Sequence, residues 1–255
     1  MRGFETGREA IPIRWFDELD STNAEARRLA EAGEGGPLWI AARRQTQGRG
    51  RRGRAWQTAP GNLAATLLAG ADRDPAEAAQ LSFVAGLAVA DLASSCVEEG
   101  LVALKWPNDV LLAGAKLAGV LIESGRRPDG GLWLAIGVGV NLVAAPDLPG
   151  HPATALAAHL RPGLPAPGQE AALEVLSASM ARRIGEWLAH GFGPVRETWL
   201  ARAHGLGRAC TAQLGEGRAL DGVAEGMDGD GALLLRLASG ELRRITAGDV
   251  FFGSG

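Results

Sequence analysis

Residues 101–143 read LVALKWPNDVLLAGAKLAGVLIESGRRPDGGLWLAIGVGVNLV, a pattern that is typical of a β-sheet. It holds three apolar runs of strand length, LVALKW, KLAGVLIES and LWLAIGVGVNLV, which are separated by short breaks. The breaks carry turn-forming residues, namely Pro107-Asn108-Asp109, Gly114 and the segment PDGG. Because a short turn joins strands that run in opposite directions, the stretch predicts an antiparallel meander.

Upstream of the meander, strands are expected to alternate with helices. Thr22 and Glu25 have the spacing of a capping box, which predicts a helix over about residues 23–32. A second helix is predicted over residues 74–96, where an Asp-Pro start precedes apolar residues at helical spacing. Three further strands are predicted over residues 11–16, 37–43 and 62–68.

Downstream of the meander, the sequence predicts first helices and then short strands. Helices are predicted over residues 153–160, 170–190 and 194–203. From His204 onward, short strands alternate with glycine-rich turns, which predicts a small all-β barrel of roughly fifty residues. We therefore expect two domains, an α+β domain over residues 1–203 and a β-barrel domain over residues 204–255.

Composition excludes several classes of protein. The 255 residues carry a net charge of -3, so no overall positive field draws the chain to nucleic acid. Two cysteines, Cys96 and Cys210, cannot build a disulfide framework, which favours a reducing cytoplasm. The first residues lack the apolar core of a signal peptide, and the longest apolar run is too short and too glycine-rich to span a bilayer.

Residues 43–56 form a segment rich in arginine and glycine, called here the arginine-glycine segment. Its six arginines are Arg43, Arg44, Arg49, Arg51, Arg52 and Arg54. The charge run alone is compatible with a solvated loop or a nucleic-acid patch. Because Trp56 is its one aromatic residue and the rest of the chain is mildly acidic, a local site for carboxylate or phosphate fits better. Since like charges repel, we expect residues 48–54 to stay mobile until an anion neutralises them.

Lys116 begins a face of small apolar residues if the strand alternates strictly. That face would hold Lys116, Ala118, Val120 and Ile122, so the ammonium would point at the end of a mostly apolar pocket. A lysine that extends along its strand to solvent is the other interpretation. Asp109, taken alone, is more often a turn former than a catalytic group.

Two further segments offer glycines or polar groups. The glycines of GVGVN, residues 137–141, and Gly119 leave room for close approach to their strands. Asn141 can pair with an adenine edge, although an asparagine at a strand end needs no ligand. Ser21-Thr22-Asn23 is explained by helix capping alone, but it also offers short donors and acceptors in a fixed array.

The motifs STN, GRGRRGRAW, KWPNDV, KLAGVLIE and GVGVN occur in the order and approximate spacing seen in biotin–protein ligases, and the chain resembles that family. The resemblance is strong over residues 21–141 and weaker beyond. It implies a fold like that of class II aminoacyl-tRNA synthetases, with a mixed β-sheet, helices mainly on one face and a C-terminal SH3-like barrel. It also implies an AMP-forming ligase that adenylates biotin and passes it to a lysine of the carrier domain of acetyl-CoA carboxylase or a similar carboxylase.

The resemblance further assigns roles to single residues. Those matched to biotin are Ser21, Thr22, Asn23, Gln45, Arg49, Gly50, Arg51 and Lys116. Those matched to ATP and the adenylate are Arg51, Arg52, Arg54, Trp56, Asn108, Lys116 and Asn141. Catalytic roles fall to Lys116, Arg51 and Asp109. Members of the family often carry a basic residue near the C-terminus that reaches the nucleotide. The last residues of this chain, FFGSG, include no basic residue, so Arg243 and Arg244 are the candidates for that contact.

The expected small molecules are ATP, biotin and Mg²⁺, with the metal held by the phosphates and by Asp109 as a candidate ligand. The motifs begin near Asp20 and leave no room for a helix-turn-helix module, so we expect no DNA binding, and no membrane binding either. These motifs do not predict whether the chain is a monomer or a homodimer. Two other interpretations are a lipoate or octanoate ligase of the same superfamily, whose glycine-rich segment has fewer arginines, and an RNA-binding protein, which sparse aromatic residues disfavour.

Overall fold

The computed structural model describes residues 10–71, 75–128, 130–147, 152–215 and 217–253, without the side chains of residues 71, 75 and 76. A seven-stranded mixed sheet forms its centre, in the order β1-β2-β3-β7-β6-β5-β4. The strands are β1 (Ile13–Leu19), β2 (Leu38–Gln45), β3 (Leu63–Ala71), β4 (Val102–Lys105), β5 (Asp109–Leu112), β6 (Ala115–Arg126) and β7 (Leu132–Val140). Strands β1 and β2 are parallel, and the other neighbours are antiparallel.

The predicted antiparallel meander is confirmed, with one strand more than the sequence indicated. The run DVLL, which lay within a predicted break, forms β5 between β4 and β6. The runs LVALKW and KLAGVLIES, which a three-stranded meander would make neighbours, are therefore separated by a strand.

The helices lie mainly on one face of the large sheet, as expected. They are α1 (Thr22–Glu31), α2 (Pro75–Ala79), α3 (Leu81–Ser94), α4 (Gln169–His190) and α5 (Phe192–Leu200). Helix α3 is apolar on nearly every side because it is buried between the sheet and α4. Helix α1 packs on the opposite face, where Ala26 and Ala30 contact the cluster that contains Ile40 and Trp133.

Two helix starts differ from the sequence prediction. Ser21 is the residue before α1 and no side chain caps the helix, so the predicted capping box of Thr22 and Glu25 is wrong. Thr22 is instead buried, and its hydroxyl takes part in the site described below. The predicted cap Asp74 lies outside the described residues, and the single helix expected over residues 74–96 is divided into α2 and α3.

A bulge in β6 changes the face on which Lys116 lies. The register between β5 and β6 shifts at this point, so that Leu117 is an extra residue and both it and Ala118 are buried in the core. Lys116 therefore shares the cavity face of the strand with Gly119 and Leu121. The strict alternation assumed from the sequence is wrong by this one residue.

The predicted C-terminal barrel is a five-stranded antiparallel sheet, β8 (Ala209–Gln213), β9 (Ala219–Met227), β10 (Leu233–Arg236), β11 (Leu242–Ile245) and β12 (Asp249–Phe252). Its order is β11-β10-β9-β8-β12. It docks beside β4, where the Trp106 indole N–H donates to Gly231 O at 3.0 Å. The domain division at residues 203/204 falls between α5 and β8 and stays a prediction.

In the described part of the chain, none of the helices has both the length and the hydropathy of a transmembrane segment.

Candidate active site

A cavity of about 370 Å³ lies between the large sheet, the arginine-glycine segment and β12. All but one of the site residues predicted from the sequence line it: Ser21, Thr22, Asn23, Gln45, Arg49, Gly50, Arg51, Arg54, Trp56, Asn108, Asp109, Lys116 and Asn141. Arg52 is the exception: its guanidinium contacts Asp249 Oδ2 and the carbonyl of Gln213, and Arg52 itself is not part of the lining. The fold thus brings together segments that are far apart in the chain.

One wall of the cavity is a buried polar network at the first turn of α1. The backbone N–H and the hydroxyl of Thr22 contact Gln45 Oε1 at 2.8 and 3.1 Å. Thr66 of β3 donates to Asn23 Oδ1 at 2.7 Å, and Asn23 Nδ2 donates to Glu123 Oε2 at 2.8 Å. These contacts fix the orientation of the amide and hydroxyl groups before any ligand arrives.

Gly137 offers a direct test of this network. A Cβ at this position would lie 2.1 Å from Asn23 Oδ1, so Asn23 would have to move away from Thr66 and Glu123. We expect Gly137→Ala to lower the free energy of unfolding by about 1–3 kcal/mol, the usual cost of leaving buried hydrogen-bonding groups without partners. Urea denaturation measures this change. Gly226→Ala is the matched control, since Gly226 also lies in a strand and a Cβ there has nothing within 4 Å. Equal losses in the two variants would contradict the prediction.

Two glycines form the surface of the cavity beside this network. Gly119 of β6 and Gly139 of β7 are direct partners across the strands. The indole of Trp56 lies against them, since a Cβ at Gly139 would be 2.4 Å from Trp56 Cε2 and one at Gly119 would be 3.5 Å from Trp56 Cζ3. Lys116 Nζ is 5.8 Å from the centre of the same ring. The close approach predicted for these glycines is thus made by a side chain of the arginine-glycine segment.

Lys116 and Asp109 form an ion pair on the sheet side of the cavity. Lys116 Nζ lies 2.6 Å from Asp109 Oδ1, and the two side chains are 34% and 20% exposed. Neighbouring Asn108 accepts a hydrogen bond from Arg51 Nη1 at 3.3 Å. Asp109 is therefore the anchor of Lys116 as well as a turn residue.

Asn141 has internal partners for both ends of its amide. It is 2% exposed, its Nδ2 donates to Thr154 O at 3.2 Å, and its Oδ1 accepts from Asn62 Nδ2 at 3.4 Å. These bonds give Asn141 a structural role at the end of β7. Its contact with adenine stays a prediction.

The arginines of the arginine-glycine segment are paired with carboxylates of the same chain. The pairs are Arg43–Glu170, Arg44–Glu18 and Arg49–Glu123, while Arg51, Arg52 and Arg54 share Asp249. The segment folds as a short hairpin, in which Trp56 N donates to Gly48 O at 2.9 Å and Gly50 N to Arg54 O at 2.7 Å. Asp249 is thus the carboxylate that contacts three arginines of the segment at once, and the mobility of residues 48–54 without a ligand stays a prediction.

Strand β12 brings to the cavity residues that the sequence analysis did not assign. Asp249 and Phe251 line it, together with His204 and Lys105. Burial lowers the pKa of His204 and also that of Lys105, whose ammonium is 5.4 Å from the Phe251 ring centre. No local pattern could have indicated Asp249, because its three arginine partners are almost two hundred residues away in the chain.

Arg243 and Arg244 do not replace the family's C-terminal basic residue at this cavity. Both lie on β11, at the edge of the small sheet opposite β12, and neither is part of the lining. Arg243 pairs with Glu241, and Arg244 pairs with Asp228 and Asp230.

Comparisons with known proteins match nearly the whole chain. The profile of the biotin/lipoate A/B protein ligase family matches residues 15–141, and that of the biotin protein ligase C-terminal domain matches residues 205–253. A biotin--[acetyl-CoA-carboxylase] ligase of Paracoccus denitrificans is 43% identical over 242 residues, which cover 92% of this chain and 98% of that protein. One of Mycobacterium tuberculosis is 33% identical over 240 residues, covering 91% and 86%.

A solved structure gives the same result for the fold. The structure of biotin protein ligase from Aquifex aeolicus in complex with biotin and ATP matches with a TM-score of 0.76 and 27% identity, and the match covers 96% of this chain and 99% of that chain.

Proposed function

This chain belongs to the biotin protein ligase family, and on that premise we propose that it converts biotin and ATP to biotinyl-5′-AMP and transfers the biotinyl group to a carrier-domain lysine. The acceptor is the biotin carboxyl carrier domain of acetyl-CoA carboxylase or of a similar carboxylase. The observation that carries the proposal is one cavity that combines a fixed polar network, at Thr22, Asn23 and Gln45, with the cations of Lys116 and Arg51.

The polar wall suits the ureido group of biotin. That group has one carbonyl acceptor and two N–H donors, so it needs short partners in fixed positions. Thr22, Asn23 and Gln45 are held by the network described above. Ser21 lines the cavity, and its hydroxyl has no hydrogen-bond partner among the described residues, so it can bond to a ligand.

The first step brings two anions together. A carboxylate oxygen of biotin attacks the α-phosphorus of ATP, the bond to the bridging oxygen of the β-phosphate breaks, and pyrophosphate leaves. Positioned cations lower this barrier because negative charge gathers between the reactants. Lys116 and Arg51 fill that role. Burial lowers the pKa of Arg51, but a guanidinium stays charged at neutral pH.

The second step transfers the biotinyl group. The carrier amine attacks the carbonyl carbon of the mixed anhydride, the bond from that carbon to the phosphate oxygen breaks, and AMP leaves. The amine must lose a proton, and Asp109 is the group that we assign to accept it. Its Oδ2 is the proposed acceptor atom, because Oδ1 is the oxygen that pairs with Lys116.

Mg²⁺ is the expected counterion of ATP. No group of three or more His, Cys, Asp or Glu side chains in the described part of the chain is arranged to hold a metal ion. We propose that the cation is held mainly by phosphates and water, with one protein carboxylate. Asp109 would supply that carboxylate, and the bound cation would neutralise phosphate charge. Asp249 is less suited because it is already engaged by three arginines.

ATP–pyrophosphate exchange tests the substrate. With labelled pyrophosphate and Mg²⁺, we expect biotin to drive label into ATP, at a rate at least about 10²-fold above that with lipoate or octanoate. A site built to hydrogen-bond one group rejects acids that lack it. A reaction without added acid gives the background. Exchange that is as fast with lipoate as with biotin would assign the chain to the lipoate branch of the family instead.

The remaining assignments follow the same premise. We propose a ligase without a repressor function, in line with the Paracoccus denitrificans relative that aligns over 98% of its length. We place its activity in the cytoplasm, because both Cys96 and Cys210 are free thiols. Sedimentation velocity tests whether the chain forms a homodimer.

A further inference from the structure

We propose that Asp249 is a positioning residue for the nucleotide, which holds the arginines of the arginine-glycine segment in place from the C-terminal sheet. The inference rests on the proposed function in one respect, that the anion received by these arginines belongs to ATP. It assigns to the C-terminal sheet a part in the chemistry of the large sheet, through one carboxylate.

Asp249 contacts three arginine side chains of the segment at once. Its Oδ1 lies 3.1 Å from Arg54 Nη2 and 3.4 Å from Arg51 Nη1, and its Oδ2 lies 3.6 Å from Arg52 Nη1. The side chain is 15% exposed. Two backbone carbonyls of the same sheet complete the contact, since Gly248 O accepts from Arg51 at 3.1 Å and Gln213 O accepts from Arg52 at 3.3 Å.

The small sheet fixes the position of Asp249, whereas the hairpin that Asp249 contacts is less stable. Asp249 begins β12 and is paired with Gln213 of β8, so the small sheet fixes its position. The hairpin that it holds is short, and Arg52 lies in the left-handed region at φ 56°, a conformation that most side chains disfavour. Three like charges also repel one another. Without a carboxylate at this point, only neutral acceptors, such as Gly248 O and Gln213 O, hold these guanidinium groups in place.

The charge balance shows that Asp249 prepares the site for a further anion. One carboxylate faces three guanidinium groups, so a net positive charge remains for a phosphate. Arg51 uses only Nη1 for its contacts with Asp249, Gly248 and Asn108. Its Nε and Nη2 have no hydrogen-bond partners among the described residues. Arg51 is therefore anchored through one nitrogen, and its other donors stay available to a ligand.

The kinetic test is the Asp249→Asn variant, which keeps the size of the side chain but removes its charge. In biotin-dependent ATP–pyrophosphate exchange we expect KM for ATP to rise about tenfold, the typical effect of losing a charged hydrogen bond, while kcat and KM for biotin change much less. Asp249→Glu retains the charge and should recover part of the ATP affinity. Glu225→Gln is the matched control, because Glu225 pairs with Arg236 on the same small sheet outside the cavity lining.

A second readout needs no ligand and no activity. Trypsin should cut after Arg51, Arg52 and Arg54 about tenfold faster in Asp249→Asn than in the unmodified protein or in Glu225→Gln, with the peptides identified by mass spectrometry. The trypsin experiment tests the role of Asp249 even if the unmodified protein fails to catalyse exchange with biotin. Failure of that exchange would reject only the proposed function. If Asp249→Asn does not fold, the same comparison is made with Asp249→Glu, whose longer side chain should give an intermediate cutting rate.

Two results would overturn the inference. Unchanged cutting of the segment would show that Asp249 does not hold it. A lower KM for ATP in Asp249→Asn would show that the carboxylate competes with the phosphates instead of preparing their site.

Discussion

Replacing Lys116 by alanine is expected to slow biotin-dependent ATP–pyrophosphate exchange by about 10²–10³-fold at saturating biotin. The Lys116 ammonium lies in the cavity, held 2.6 Å from Asp109 Oδ1. As the carboxylate attacks the α-phosphate, negative charge gathers where this cation is already placed. An interaction that strengthens in the transition state is lost mainly from kcat, so added biotin should not restore the rate.

The control for Lys116 is a cation on the same strand. Arg126 ends β6 and lies outside the cavity lining, so Arg126→Ala should leave the exchange rate unchanged. A Lys116→Ala enzyme that exchanges at the unmodified rate would remove Lys116 from the first step. Thermal unfolding of both variants separates a local effect from a loss of folded protein.

Replacing Asp109 by asparagine is expected to slow transfer to the carrier domain by about 10²–10⁴-fold, the usual contribution of a general base. Asparagine keeps the shape of the turn but cannot take the proton from the incoming amine. The ion pair with Lys116 adds a second consequence, because the variant also removes the anchor of that cation. Adenylate formation should therefore slow as well, but by less than transfer.

A single-turnover design separates the two consequences. Each variant is loaded with biotin and ATP, the bound adenylate is quantified, and the carrier domain is then added. Asp109→Asn should accumulate adenylate and release it slowly to the acceptor, whereas Lys116→Ala should accumulate little. Transfer at the unmodified rate from a full load of adenylate would show that Asp109 is not the base. If Asp109 also binds Mg²⁺, raising the metal concentration should restore the first step and leave the second slow.

The part of the site that could be predicted from sequence is the part encoded in short motifs. KWPND and KLAG are close in the chain and joined by turns, so the proximity of Asp109 and Lys116 follows from local structure. The glycines of GVGVN mark a close approach, which the sequence cannot assign to a particular partner. In the structure these partners are Trp56 and Asn23.

Three features could not be predicted, each for a physical reason. Alternation cannot reveal a bulge, so the extra residue Leu117 moved Lys116 to the other face of its strand. The capping preference of Thr22 is local, and burial beside Gln45 overrides it. The ion pairs of Asp249 join the two ends of the chain, and only the docked C-terminal sheet brings them together.

A competition between biotin and lipoate for one carrier domain tests the proposed activity directly. The protein is mixed with ATP, Mg²⁺, equal concentrations of the two acids and a carrier domain with a single acceptor lysine, and the product is read by intact mass. A carrier with that lysine changed to arginine is the control. We expect biotinylated carrier only, with no product on the arginine control. Lipoylated carrier, or no modification of a folded carrier while ATP is present, would contradict the proposed activity.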